Sequence, residues 1–143
     1  MDGIRLRCGA WSDLAPAARL VRDEVFVGEQ KVPLDMEHDA HDAICLHVVA
    51  ETAAGEAVGT GRLLPDGHIG RLAVRRPWRG TGVGGAMLAL LIEEAREAGH
   101  AAVVLNAQVA AIGFYQDFEF EAVGPRFMEA GIEHQAMQLS LRP

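Results

Sequence analysis

The run Arg79-Gly80-Thr81-Gly82-Val83-Gly84-Gly85 sets four glycines within six residues, directly ahead of the strongest helical pattern in the chain. Residue types in this order suit the binding of an anion. The first amides of a helix have no partner inside it and point outward. The helix dipole adds about half a positive charge at the same end. Glycine brings no Cβ between a bulky anion and the backbone, and an arginine supplies a planar fork of donors that matches phosphate oxygens. Arg71, Arg75, Arg76 and Arg79 all fall within nine residues, so a chain of net charge -7 gathers positive charge at this one point. A solvated loop is the other reading of the charge alone.

Three phosphate-binding patterns compete for these glycines. A P-loop needs Lys and then Ser or Thr after its last glycine, but Ala86 and Met87 follow Gly85. Gly80-x-Gly82-x-x-Gly85 satisfies the dinucleotide fingerprint. That fingerprint belongs directly after the first strand, with an acid about 20 residues on. Here several strand patterns come first, and Asn106 and its neighbours stand where the acid is needed. The third pattern is Arg79-x-x-Gly82-x-Gly84.

The elements that must position this loop follow from periodicity. Residues 4–8 alternate as a strand, and Ser12 or Asp13 can cap a helix running to about Phe26 with Leu14, Ala17, Ala18, Val21 and Val25 on one face. Pro16 sits in its first turn, where proline is tolerated. Residues 28–42 read as a polar loop with a short helical piece. Strands over 44–51, 57–64 and 68–74, joined by short turns, predict an antiparallel meander. A helix is predicted from Gly82 to Ala98, burying Val83, Met87, Leu90, Leu91 and Ala95 and ended by Gly99. A strand over 101–106, a helix from Val109 to Asp117 and strands at 119–123 and 133–141 complete the order. The expectation is one α+β domain over residues 1–143, a mixed, mostly antiparallel sheet with helices on both faces.

Composition narrows the function classes. The net charge argues against a general nucleic-acid binder, which carries a broad basic face. The longest apolar run, 86–92, is far too short to span a bilayer. No signal-like segment opens the chain, so a soluble cytoplasmic protein with no membrane partner is expected. Cys8 and Cys45 read as small buried thiols rather than a disulfide framework. The run 37-EHDAHD-42 holds metal-ligand types. Adjacent residues in a short loop point apart, however, and no second cluster supplies further ligands, so no metal is expected.

The third glycine pattern resembles the pyrophosphate loop of the GNAT superfamily, the Gcn5-related N-acetyltransferases, written Gln/Arg-x-x-Gly-x-Gly/Ala. Residues 69–88 resemble that family's strand–loop–helix block, and 105–120 its next strand and helix, with a Phe-Tyr near the helix end. Residues 22-RDEVFVGEQKVP-33 and 127-FMEAGIEHQAM-137 look like a small bacterial branch, the YjcF-like or ElaA-like acetyltransferases. One departure is Glu119 before Phe120, where the family usually has glycine; it suggests a different helix exit and puts the position of Tyr115 in doubt.

The resemblance implies an acetyl-CoA-dependent N-acetyltransferase acting on a primary amine of a small molecule or peptide by direct attack in a ternary complex. Loop amides from Gly80 through Thr81, Gly82, Val83 and Gly84 to Gly85, with Arg79, would hold the pyrophosphate. The fourth strand, Leu72, Ala73 and Val74, would pair with the pantetheine arm and polarise the thioester carbonyl. That strand would splay from the fifth to open a V-shaped slot. Tyr115, the only tyrosine, has a reference pKa near 10 against about 8.5 for a thiol, so it can protonate the departing sulfur. A core tyrosine is its other reading. Asn106 could bond the pantetheine or the substrate, or serve as a strand-end turn former. Glu29 is the expected base, near the acceptor slot, with Glu37, Asp39, Asp42 and His134 as further candidates. A non-catalytic acyl-CoA sensor and a nucleotide-binding protein are the alternatives. Exposed C-terminal strand edges would permit a homodimer.

Overall fold

Strand β1 (Ile4–Ala10) leads straight into helix α1 (Trp11–Arg22), and a computed structural model describes the chain over residues 3–141. The helix starts at Trp11 with Ala10 as its N-cap, and no side chain caps it, so neither Ser12 nor Asp13 takes that role. Leu14, Ala18 and Val21 face the core. Beyond Arg22 the helix widens into a π-helical segment, Asp23–Glu29, rather than ending at Phe26. Such widened turns are rare and often accompany functional sites. Residues 30–45 hold a four-residue helix α2 (Leu34–Glu37) and a 3₁₀ turn, Ala40–Ile44.

The meander predicted from the short turns is present. Strands β2 (Leu46–Thr52), β3 (Ala57–Leu63) and β4 (Ile69–Val74) pair antiparallel in the order β1-β2-β3-β4. The glycine loop then leads to helix α3 (Val83–Glu97), which buries Val83, Met87, Leu88, Leu91, Ile92 and Ala95. Leu90, expected inside, is only partly buried, and Leu88 and Ile92 take the rest of the apolar stripe. Strand β5 (Ala102–Gln108), short helix α4 (Ile112–Gln116), and strands β6 (Glu121–Ala122), β7 (Phe127–Glu129) and β8 (Ile132–Ser140) follow. β8 pairs antiparallel with β5 along its length, and β6 and β7 also pair with it.

The two half-sheets meet at a point. His68 and Val104 form an isolated parallel bridge, with Val104 N–H donating to Gly67 O at 3.1 Å. Beyond it β4 and β5 share no ladder, and the sheet opens as a V. A bulge helps to turn β4 away: Arg62 pairs with Gly70 and Thr60 with Ala73, so three steps on β4 match two on β3. Arg71 absorbs the extra residue at φ +49°. A non-glycine residue in that region is strained, and such strain gathers at functional sites.

One core layer lies between the sheet and α3, and a second lies under α1 with Val49, Ala57 and Ala73. Helices therefore cover both faces, as the sequence implies. Cys45 is buried but Cys8 is exposed, because it lies on edge strand β1; both thiols are free.

Candidate active site

The open V is lined along both arms. A cavity of about 560 Å³ is bounded by Leu72, Ala73, Val74 and Arg79 on one side, and by Asn106, Gln108 and Tyr115 on the other. It runs from Arg79, just ahead of the glycine loop, to the arginine-rich floor around Arg62 and Arg71.

At the loop, Gly80 and Gly82 adopt φ +76° and +94°, a left-handed region that residues with a Cβ enter at a cost. Nothing lies within 4 Å of where a Cβ would stand on either, so the space above them is open. Gly82 is the N-cap of α3 and offers no capping side chain. The first N–H bonded back into the helix is that of Ala86, to Gly82 O at 3.0 Å. The amides of Val83, Gly84 and Gly85 are thus the first-turn donors a helix leaves free. Gly84 and Gly85 have a further reason to lack side chains. A Cβ on Gly84 would stand 3.5 Å from Val74 and 3.7 Å from Phe114, and one on Gly85 would stand 3.3 Å from Phe118. Their smallness seats α4 against α3. Val83 sends its side chain into the core, and the Thr81 hydroxyl donates back to Trp78 O.

Of the four clustered arginines, Arg71 and Arg79 line the slot, Arg71 on its floor and Arg79 beside the glycine loop. Arg79 Nε donates to Val74 O at 2.8 Å, and its two terminal nitrogens donate to Glu29 at 3.0 and 2.8 Å. Glu29 is therefore the far half of a forked ion pair. Hydrogen bonding from Arg79 holds its carboxyl below the usual range. Arg75 instead joins Glu24 and Glu56, and Arg71 reaches back to Glu37.

The backbone of β4 is open to the slot near its C-terminal end. Arg75 N–H donates to Val58 O at 2.8 Å, so ladder alternation points the peptide groups of Ala73 toward β3 and those of Val74 away from it. Ala73 is committed to Thr60 and lies buried under α1, while Leu72 packs toward α3. Val74, the last of the three strand residues expected to meet an acyl-CoA arm, therefore has its amide turned to the slot.

Across the V, β5 runs on to Gln108, so Asn106 lies inside the strand rather than at its end. Asn106 is exposed in the slot, and Gln108 exchanges two amide bonds with Gln30, at 3.2 and 2.9 Å. That pair joins the end of the π-helical segment to β5. Tyr115 is half-buried against Phe114 and Phe120, with ring centroids at 5.1 and 5.9 Å. Burial pushes its phenol up to about 12, so at neutral pH it carries a proton to donate.

Glu119 corrects an expectation. It adopts φ +70°, the left-handed value a glycine would take. Phe120 N–H bonds Tyr115 O at 3.2 Å and Glu119 N–H bonds Gln116 O at 2.9 Å, so the usual helix closure is kept with glutamate in it. Tyr115 lines the slot.

The acids of 37–42 form the floor. Arg22, 1% exposed, bonds Glu37 at 3.1 Å and Asp42 at 2.8 and 3.0 Å. Arg62 bonds Asp42 and Asp39, both at 2.8 Å, and Arg71 Nε lies 2.9 Å from Glu37. Burial pushes Asp39 and Asp42 up, but hydrogen bonds outweigh it and hold both carboxyls below the usual range: from Arg62 and His41 on Asp39, and from Arg22 and Arg62 on Asp42. Ligand atoms of Asp23, Glu37 and His38 lie within 4.8 Å of one another. Two guanidinium groups already engage Glu37, which disfavours a cation there. None of these pairings is written locally; the partners are 15 to 34 residues apart.

Similarity to known proteins agrees with this geometry. The family model for the acetyltransferase (GNAT) domain matches residues 13–141. The chain is 36% identical over 121 residues to the uncharacterized N-acetyltransferase YjcF of Bacillus subtilis, covering 82% of this chain and 86% of that one. Among solved structures, an acyl-CoA N-acyltransferase from Pseudomonas aeruginosa is 29% identical with TM-score 0.85. ElaA from Escherichia coli is 27% identical with TM-score 0.84, and each alignment covers 94% of this chain and 98% of the other. No helix among the described residues is long and apolar enough to cross a membrane. With its glycine loop, splayed strands and tyrosine in one slot, this chain belongs to the GNAT acetyltransferase family, and it is an acyltransferase.

Proposed function

We propose that the chain, acting as a single domain in the cytoplasm, transfers the acetyl group of acetyl-CoA to a primary amine of a small molecule or peptide within one ternary complex. The observation that carries the reading is the open end of α3 beside the splayed slot. Arg79, which leads into the free first-turn amides of α3, lines a cavity whose wall also holds Val74 and Tyr115. Amides from Gly80 to Gly85 with Arg79 bind the pyrophosphate. Val74 N–H polarises the thioester carbonyl as a preorganised donor. Asn106 bonds the pantetheine or acceptor, and Tyr115 protonates the leaving sulfur. Glu29, tied to Arg79, serves to orient that guanidinium; a carboxylate so paired is a weak base.

The test is release of free CoA from acetyl-CoA across polyamines, aminosugars, amino acids and peptides. Tyr115→Phe should keep acetyl-CoA affinity and lower kcat by about a hundredfold or more. Full kcat in that variant removes Tyr115 as the acid. Tight acetyl-CoA binding with no transfer to any amine marks an acyl-CoA-binding module instead.

A further inference from the structure

His134 lines the slot on the side away from α3. In β5, Val103, Leu105 and Ala107 are buried in the core layer under α3, so Asn106 and Gln108 belong to the opposite face. The register pairs Gln108 with His134 and Asn106 with Ala136. Residues directly opposite in an antiparallel ladder share a face. The His134 ring therefore projects on the face of Asn106 and Gln108. Tyr115 comes from the other layer, where α4 packs on α3. Both side chains border one cavity.

Its neighbours fix the tautomer of His134. Nδ1 lies 2.7 Å from the carbonyl oxygen of Ile132, which can only accept, so Nδ1 carries the hydrogen. In the neutral ring the lone pair is then on Nε2. Phe127 stacks on the ring at 5.8 Å and 21°, holding its plane. Among the described residues, the one carboxylate within ion-pair distance of the ring is that of Glu129, 3.8 Å from Nε2. It faces the charge that Nε2 acquires on protonation. Gln108, the cross-strand neighbour, is neutral and spent on Gln30. The four acids that the sequence offers for the role are engaged: Glu29 by Arg79, Glu37 by Arg22 and Arg71, Asp39 by Arg62, and Asp42 by Arg22 and Arg62. Glu129 also borders the cavity, and its carboxylate stands beside the ring as the partner of the protonated form.

We propose that His134 is the general base of the transfer, taking its proton from the acceptor amine on the face of the sheet opposite Tyr115; this rests on the N-acetyltransferase reading above. The acceptor ammonium gives one proton to Nε2. The freed nitrogen lone pair forms the C–N bond at the thioester carbonyl carbon, and the C–S electron pair departs on sulfur. Sulfur takes the Tyr115 phenolic proton. The nitrogen sheds its second proton to water, and the phenolate recovers one from water. One amide, one thiol and one net proton result, the proton being the one that His134 returns to solvent.

The experiment is a pH profile of kcat/KM for wild type and His134→Gln, with acetyl-CoA affinity measured beside it. In the wild type the acid limb should break at one pH for two acceptors whose own amine pKa values differ. His134→Gln should bind acetyl-CoA as the wild type does, lose about a hundredfold in kcat/KM, and show a limb that follows the amine. Added imidazole should restore part of the rate. An active variant with an unchanged limb overturns the base and leaves the acetyltransferase standing. Should the variant not fold, the wild-type profile alone decides: a break that moves with the amine pKa overturns the proposal. A wild type that binds acetyl-CoA and acylates no amine overturns both readings.

Discussion

Two clusters of arginine and carboxylate lie at opposite ends of the slot, and burial separates their roles. On the floor, Arg22, Arg62 and Arg71 interlock with Glu37, Asp39 and Asp42, and the side chains of Arg22 and Glu37 are 1% exposed. Beside the mouth, Arg75 and Arg76 meet Glu24, Glu56 and Glu29, and Arg79, which alone of these lines the cavity, pairs with Glu29 and remains 42% exposed. Breaking a buried pair strands a charge and is expensive. An exposed pair contributes about 1 kcal/mol or less and exchanges partners readily. The floor is therefore a clamp that ties residues 37–42 to α1, β3 and β4. The mouth is a set of donors that a phosphate can engage, held in orientation until it arrives.

The largest effect should come from breaking the clamp. Asp42→Asn leaves Arg22 and Arg62 short of a charge partner and should cost about 3–5 kcal/mol, read as a shift in the denaturant midpoint. The same pairings set a pH dependence. Asp39 and Asp42 have depressed carboxyls, so their contribution is present above the ordinary aspartate range, near pH 4, and is lost as pH falls through their lower folded values. Acid titration of stability should show this loss in the wild type and less of it in Asp42→Asn. Equal slopes would remove Asp42 from the clamp.

A smaller effect is expected in the helix exit below Tyr115. Glu119→Gly relieves a left-handed glutamate and should stabilise the fold by about 1 kcal/mol. A loss of stability on thermal melting would mean the glutamate side chain contributes something its exposure does not suggest. Smallest in stability is Glu29→Gln, under about 1 kcal/mol. Its signature should lie in function: KM for acetyl-CoA rises severalfold because Arg79 is no longer held, while the pH profile keeps its shape. A profile that loses its acid limb would restore Glu29 as the base.

The order of elements was legible in the sequence because short turns and helical periodicity are local signals. The glycine loop was legible for the same reason, since Arg79, Gly82 and Gly84 lie within six residues. What escaped depends on distant partners. Strand β7 has three residues and exists by pairing with β8. The bulge at Arg71 is a mismatch between two strands and has no signature in either one. Glu29 looked free because Arg79 is 50 residues away. Glu119 looked like a break in the motif, yet two backbone hydrogen bonds around it keep the turn that glycine would have made easy. Cys8 was expected inside on residue type alone, and its edge strand leaves it exposed.

Binding of two thioesters compares the mouth with the rest of the slot most directly. Acetyl-CoA and acetyl-pantetheine share the reacting arm and differ in the pyrophosphate and nucleotide. By calorimetry the wild type should prefer acetyl-CoA by about a hundredfold or more, since charge-assisted hydrogen bonds contribute about 1.5–3 kcal/mol each. Gly82→Glu, which sets a carboxylate at the N-cap of α3, should abolish that preference and leave the fold intact. Equal affinity of the wild type for both thioesters, or an unchanged preference in Gly82→Glu, would contradict the assignment of the glycine loop as the diphosphate site.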